Sequence, residues 1–307
     1  MEIPVSTRLI QAGLLVSLYE YMRCFVDTAM MTISVCARMA IAVGLHKPKT
    51  VSPPMSDTNG CLRAEEENNI WWIIVLLERL YVCETASPDQ PLISTIPPSG
   101  SCLPVNALGL NPVPYSVTLA SPTDSLIKDS APGCFGKDGQ AAILLDRVLQ
   151  IFRNEGKDVL GSEIATLDNE LQEFLHSLLV SFQGSKPREC GAIAVTLRAL
   201  FVLHMSVLDW WSKNKPSEPF AHGCQSQAAL RSLSRISVDI ATFRGTWVTK
   251  QIFDRHPPFT LYILRQAIKY LNEIDPADTC GVLEQRKSLS QALAQYSWRW
   301  RHGKANA

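Results

Sequence analysis

Helical periodicity runs through most of this 307-residue chain and limits the folds open to it. Apolar side chains recur every three or four residues over about 28–44 and 63–83, the spacing that puts them on one face of an α-helix. The same spacing marks six later segments, at about 138–154, 163–183, 190–212, 225–243, 259–272 and 282–302. There is no convincing alternating strand pattern and no repeat of fixed period. We therefore predict an all-α, irregular multi-helix array.

The first two segments have predicted core faces and ends. The buried stripe of 28–44 is expected to consist of Met30, Ile33, Ala37, Ile41 and Gly44. Asp27 or Thr28 is expected to cap its start, and Gly44 to end it. In 63–83 the expected stripe is Ile70, Ile73, Leu77 and Leu80, with Trp71 and Trp72 adding bulk to the core.

Proline divides the chain into three predicted parts. Nine of the nineteen prolines fall within 86–135, and proline both removes an amide donor and clashes with the preceding helical turn. We predict N-terminal helices over 1–85, a long Pro-rich loop over 86–135 that runs across the surface, and a C-terminal helical part of the same domain over 136–307. Loops of this length are usually functional or mobile.

Composition and charge exclude several classes of protein. Lysines and arginines number 29, and so do aspartates and glutamates, so the basic excess typical of duplex-binding proteins is missing. A hydrophobic fraction of 46% argues against disorder. The apolar run 70–77 is too short for a membrane span, so no membrane association is expected. Nine scattered cysteines without close pairs indicate a reducing compartment.

Three ordered segments carry a family resemblance. The first segment, 37–47, has the sequence Ala-Arg-Met-Ala-Ile-Ala-Val-Gly-Leu-His-Lys. The second, 65–79, begins with three glutamates, continues through Trp-Trp and ends in Leu-Glu-Arg. The third is Cys-Leu-Pro at 102–104, within the Pro-rich stretch. Together they resemble the fungal-specific transcription factor domain, the regulatory region downstream of the zinc binuclear cluster in many fungal regulators. The segments 11–21, 257–259 and 296–300 also fit this family. The residues that match its motifs are Ala37, Arg38, Met39, Ala40, Gly44, Leu45, His46, Glu67, Trp71, Trp72, Glu78 and Arg79.

The resemblance implies a nuclear protein that controls transcription, of a metabolic or secondary-metabolite gene set, through regulatory contacts. Its expected partner is a second copy or a full-length zinc-cluster regulator, and a small-molecule effector is compatible with it. The zinc cluster itself needs paired Cys-x2-Cys ligands, which this chain does not have. No metal, cofactor or direct DNA binding is therefore predicted. The chain also departs from the family at Asn68-Asn69 and at Ala86-Ser87-Pro88, where relatives tend to carry arginine.

Two other readings stay open, an all-helical enzyme of small-molecule metabolism and a truncated gene model. No catalytic motif is found, and 133–138 has the wrong glycine spacing for a phosphate loop. Trp71 and Trp72 are expected to fill the core, as large aromatics at helical spacing do, rather than to form a ligand-sensing wall with Arg79. His46 is expected to cap a helix end, and His204 to be an interior or boundary histidine rather than a catalytic one. If upstream helices are missing, uncovered apolar stripes should make the chain self-associate.

Overall fold

A computed structural model describes residues 5–47, 58–87, 89–98, 101–104, 133–153, 160–181, 191–214, 221–245, 259–274 and 280–301. Within these ranges the chain forms nine α-helices and no strand. Their bounds are Thr7–Met22 (α1), Val26–Ala42 (α2), Thr58–Val82 (α3), Cys134–Arg153 (α4), Leu160–Ser181 (α5), Gly191–Asn214 (α6), Ala221–Gly245 (α7), Thr260–Ile274 (α8) and Cys280–Arg301 (α9). The all-α prediction is confirmed.

The chain divides into two compact units. Unit 1 comprises Met1–Asp146 with Cys190–Ala192, and unit 2 comprises Arg147–Glu189 with Ile193–Ala307. In unit 1, helices α1, α2 and α3 pack against one another. In unit 2, helices α7, α8 and α9 do the same.

A glycine lets α1 and α2 approach closely. A Cβ atom on Gly13 would lie 2.5 Å from the Sγ of Cys36, a separation that no side chain tolerates. The Ser6 hydroxyl starts α1 by accepting a hydrogen bond from the Leu9 amide at 3.3 Å. Ile10 and Ile33 are fully buried between these helices and their neighbours.

The predicted core face of α2 is rotated by one residue at its end. Ile33 and Ala37 are buried as expected, but Ile41 is 38% exposed and Ala40 takes the core position. Positions 40 and 41 are both compatible with the helical stripe of 33 and 37 but lie 100° apart round the helix, so the packing of α2 against its neighbours decides which of them is buried.

The predicted caps at the start of α2 are wrong. The N-cap is Phe25, two residues before Asp27 and three before Thr28, and no side-chain hydrogen bond is made there. Asp27 lies in the first turn, where its carboxylate accepts the amide of Ala86 at 3.2 Å. The Asp27 side chain therefore makes a tertiary contact and does not cap the helix.

Helix α3 is buried almost all round in its second half. Every residue from 70 to 82 is buried except Ile73, which is half-buried. The predicted stripe is therefore confirmed at Ile70, Leu77 and Leu80 and wrong at Ile73. Because side chains on every side of this half of α3 are buried, other parts of the chain surround it.

Part of the Pro-rich segment belongs to the core. We call residues 91–98 and 101–104 the strap. Ser94, Ser101 and Leu103 in the strap are buried, so the prediction of a surface course is wrong for these residues. Residues 105–132 lie outside the described ranges, and α4 begins at Cys134, inside the end of the predicted loop.

Unit 2 follows the sequence prediction more closely. The helical spacing in 259–272 predicts a buried stripe of Leu261, Leu264, Ile268 and Leu271. In α8 the three leucines are buried and Ile268 is half-buried. The same spacing in 282–302 predicts a stripe of Leu289, Leu293, Tyr296 and Trp300. In α9, Leu289 is buried and Leu293 is half-buried, and the side chains of the two aromatic residues lie outside the described part.

Helix α6 alone among the described helices is long and apolar enough, over Gly191–Lys213, to cross a bilayer. Within α6, 72% of the most apolar stretch is buried. A core helix of a water-soluble protein has the same properties.

Candidate functional site

The glycine of the first motif ends α2 in a Schellman motif. Gly44 adopts a φ of 80°, in the left-handed region that favours glycine. Its amide donates to the Ile41 carbonyl at 3.0 Å, and the Leu45 amide donates to the Ala40 carbonyl at 2.9 Å. Leu45 and Ala40 are both buried. The motif spacing is thus explained by the geometry of a helix end.

The end of α2 rests against the second motif. The ring of His46 lies edge-on to Trp71, with centroids 6.1 Å apart. His46 Nδ1 makes no hydrogen bond, and the backbone amides of 43–45 occupy the carbonyls at the helix end. The prediction that His46 caps the helix end is therefore wrong, because backbone amides cap it. Trp71 and Trp72 are both buried, as expected for core residues.

The remaining members of the first motif are placed differently. Ala37 is buried, Met39 is half-buried and Arg38 is exposed. In α3, Glu67 forms a surface ion pair with Arg63, one turn away, at 3.1 Å. Such pairs contribute less than about 1 kcal/mol.

Arg79 is the centre of a buried ion network in unit 1. Its Nε lies 3.0 Å from Asp146 Oδ1 and its Nη1 lies 3.1 Å from Glu78 Oε2. Its Nη2 donates to the Ser94 carbonyl at 2.8 Å, and its Nη1 also contacts the Ser94 hydroxyl. All four residues are buried. One guanidinium thus joins α3, α4 and the strap.

Glu78 holds the strap from the other side of Arg79. Its carboxylate accepts the backbone amides of Ile93 at 2.7 Å and Ser94 at 2.9 Å, and also the Ser94 hydroxyl. Two buried carboxylates therefore share one guanidinium, and the strap amides supply further donors. A buried charge is tolerated only when it is paired and hydrogen-bonded in this way.

A second attachment fixes the other end of the strap. The indole Nε1 of Trp72 donates to the Cys102 carbonyl at 3.0 Å. Asn68 Nδ2 lies 3.4 Å from the Leu103 carbonyl, so one of the two asparagines that depart from the family pattern has a contact of its own. Three of the motif residues of α3, Trp72, Glu78 and Arg79, therefore bind the strap.

The sequence did not predict the roles of Asp146 and Ser94 in this network, nor the burial of Asp138 in the same helix as Asp146. Asp138 in α4 accepts a hydrogen bond from the Ala192 amide at the start of α6, and burial raises the pKa of this carboxyl to about 7 despite that hydrogen bond. A Cβ on Gly191 would lie 2.9 Å from its Oδ1. No local signal marks these residues, because each is a single acid or serine on an amphipathic segment.

Unit 2 contains a buried polar cluster of three helices. Nε2 of His204 in α6 lies 3.2 Å from Oδ1 of Asp168 in α5, and its Nδ1 lies 3.2 Å from the hydroxyl of Ser226 in α7. Gln172 also donates to Asp168, at 2.9 Å. Burial acts to raise the pKa of Asp168, but the contacts with His204 and Gln172 outweigh it and hold the pKa below its usual value.

The cluster has the composition of a Ser-His-Asp triad but no access. Ser226, His204 and Asp168 are each at most 3% exposed, so a substrate does not reach the hydroxyl in this conformation. The expectation that His204 is an interior histidine is confirmed. His176 is exposed.

A groove of about 660 Å³ lies on unit 2 between α6, α7 and α8. Its charged lining consists of Asp209, Arg231, Lys269 and Glu273. Asp209 is paired with Lys213 at 2.6 Å. Among the described residues, no group of three or more histidine, cysteine, aspartate or glutamate side chains is arranged to hold a metal ion.

Comparison with known proteins adds no relative: no family model, no curated protein and no solved structure matches this chain.

Proposed function

We propose that this chain is a transcription-regulatory domain of the fungal zinc-cluster type, which acts in the nucleus through protein–protein contacts and carries no chemistry of its own. In this role DNA is read by a partner or by another part of a longer gene product, because the sequence given has no zinc-cluster cysteines and no net charge.

The packing of the motif residues against one another is the observation that most supports the proposal. The end of α2 lies on Trp71, and α3 holds the strap through Trp72, Glu78 and Arg79. The residues quoted for the family therefore form one structural unit, which is what a shared regulatory fold requires. The exposed apolar residues of α1 and α2, such as Leu15 and Met31, give this unit a surface for protein contact.

A tethering experiment tests the proposal. The whole chain is fused to an unrelated DNA-binding domain in fungal cells, and transcription of a reporter with that domain's site is measured. We expect the fusion to change transcription relative to the DNA-binding domain alone. Arg79→Met should abolish the change because it disrupts unit 1, whereas Arg63→Met, at an exposed pair on the same helix, should preserve it.

Two results would contradict the proposal. One is a folded fusion that leaves transcription unchanged. The other is tight, sequence-specific DNA binding by the purified chain in a mobility-shift assay, since that would remove the need for a partner.

An all-helical enzyme is the second candidate, because of the Asp168–His204–Ser226 cluster. In that case opening of unit 2 would expose the Ser226 hydroxyl to a substrate and to serine-directed fluorophosphonate probes. Labelling of Ser226 that is lost in His204→Ala would favour the enzyme. We expect no labelling, since the cluster is sealed.

A further inference from the structure

Helix α1 is apolar on two opposite faces. Its inner face buries Ile10, Leu14 and Tyr21 within unit 1. Its outer face exposes Leu9, Ala12, Leu15, Val16 and Tyr19, and the four large side chains among them are between 42% and 70% exposed. Arg8 and Glu20 are the only charged residues within Thr7–Met22. A helix that is hydrophobic all round is normally covered on all sides. Among the described residues, Arg23 lies over the Tyr19 ring, 6.0 Å from its centroid, and Leu9, Leu15 and Val16 remain exposed.

The outer face has the spacing of a helix-pairing seam. Leu9, Ala12, Val16 and Tyr19 are separated by three, four and three residues, which is the alternation of core positions in a coiled coil. We call these four residues the α1 seam. A loop or an extended peptide does not need this alternation, so the seam points to another helix as its occupant.

The seam is complementary to itself when it is reversed. If a second α1 runs antiparallel about a two-fold axis near residue 14, Leu9 faces Tyr19 of the other copy and Ala12 faces its Val16. Both pairings then occur twice, as a two-fold interface requires. The small residues meet at the centre and the large ones at both ends, which lets the helix axes approach closely. A parallel pair would instead place Ala12 on Ala12 and Tyr19 on Tyr19, and layers of such unequal size pack poorly.

We propose that the chain forms a symmetric dimer by antiparallel packing of α1 on α1 of a second copy. The inference deepens the proposed function, on which it rests for its biological meaning, by naming one partner of the regulatory domain. The exposed side chains of the outer face present roughly 500 Å² per copy, so the pair buries roughly 1,000 Å², the lower limit of a specific interface. The dimer is therefore weak and depends on concentration.

Light scattering and sedimentation of the purified full chain test the pairing. We expect the mass to rise from 34.0 kDa to twice that value as the concentration increases from about 1 to about 200 μM, the range in which an interface of this size dissociates. A mass that stays at one copy overturns the proposal. A mass that grows beyond two copies also overturns it, because a two-fold interface closes on itself.

Matched charge substitutions locate the interface. Val16 on the seam and Leu283 on α9 are 50% and 51% exposed. Val16→Asp should raise the dissociation constant at least about tenfold, because it buries two unpaired carboxylates in each dimer. Leu283→Asp should leave it unchanged. Equal effects of the two substitutions would overturn the assignment to α1.

Cysteine cross-linking fixes the direction. Ala12→Cys mixed with Val16→Cys should form a disulfide-linked dimer faster than either variant alone, since these positions face each other only in the antiparallel pair. The unsubstituted chain, with its exposed Cys24 and Cys224, gives the background. Faster linking of Ala12→Cys with itself overturns the antiparallel arrangement. A monomer that still regulates the tethered reporter overturns the pairing alone, and a dimer without regulation overturns the proposed function alone.

Discussion

Arg79→Met is the substitution that most directly tests the energetics of unit 1. Methionine keeps much of the side-chain volume but removes the guanidinium. Asp146 and Glu78 then remain as buried carboxylates without their cation, and the Ser94 carbonyl loses its donor. Removing one partner of a buried ion pair costs about 3–5 kcal/mol, because the other charge is left unpaired. We expect a loss of this size in the free energy of unfolding.

Arg63→Met is the matched control on the same helix. Arg63 also pairs with a glutamate, at the same N–O distance of 3.1 Å as Arg79 and Glu78, but its side chain is 79% exposed. Its loss should cost less than about 1 kcal/mol. The difference between the two losses in the free energy of unfolding therefore measures the effect of burial, because both variants remove an arginine that pairs with a glutamate.

Urea unfolding followed by circular dichroism gives the free energies, with hydrogen exchange at Ile93 and Ser94 as a local measurement. These amides donate to Glu78 and should exchange faster in Arg79→Met. Adding Asp146→Asn to Arg79→Met should recover part of the loss, since it neutralises one stranded charge. The reasoning is refuted if Arg79→Met costs no more than Arg63→Met, or if Asp146→Asn makes the double variant worse by its full single-variant cost.

Three further predictions concern single positions, each checked by urea unfolding. Gly44→Ala should destabilise the chain by about 1 kcal/mol because φ is 80° there, whereas Gly281→Ala, where a Cβ meets nothing within 4 Å, should not. Trp72→Phe keeps the aromatic packing but loses the hydrogen bond to the Cys102 carbonyl, which should cost about 1–2 kcal/mol; a cost equal to that of a surface substitution would contradict the attachment. The pKa of Asp138 is raised to about 7 in the folded chain, from 3.8, so this residue makes stability fall as the pH rises from about 4 to 7. Asp138→Asn should remove that fall and stabilise the chain at pH 8 more than at pH 5; an unchanged pH profile would show that the carboxyl is not buried.

The candidate sites differ in how far sequence could foresee them. Gly44 as a helix end and Trp72 as a core residue follow from local rules about φ angles and side-chain size. Asp146 does not, because its partner Arg79 is 67 residues away in the sequence. The local sequence around an aspartate on an amphipathic helix is the same whether the carboxylate faces water or a guanidinium. The contacts of Ser94 could not be predicted either, because a serine among prolines is ordinary loop composition.

The sequence by itself determined that this chain is helical, where most helices lie and which glycine ends α2, because those properties depend on residues within a few turns of one another. Only the tertiary structure decided that the strap is buried, that Ala40 rather than Ile41 enters the core, and that Arg79 joins α3, α4 and the strap. These outcomes depend on which neighbouring element lies against a given side of a helix. Burial and charge pairing depend on contacts between residues that are far apart in the sequence, so local sequence patterns do not reveal them.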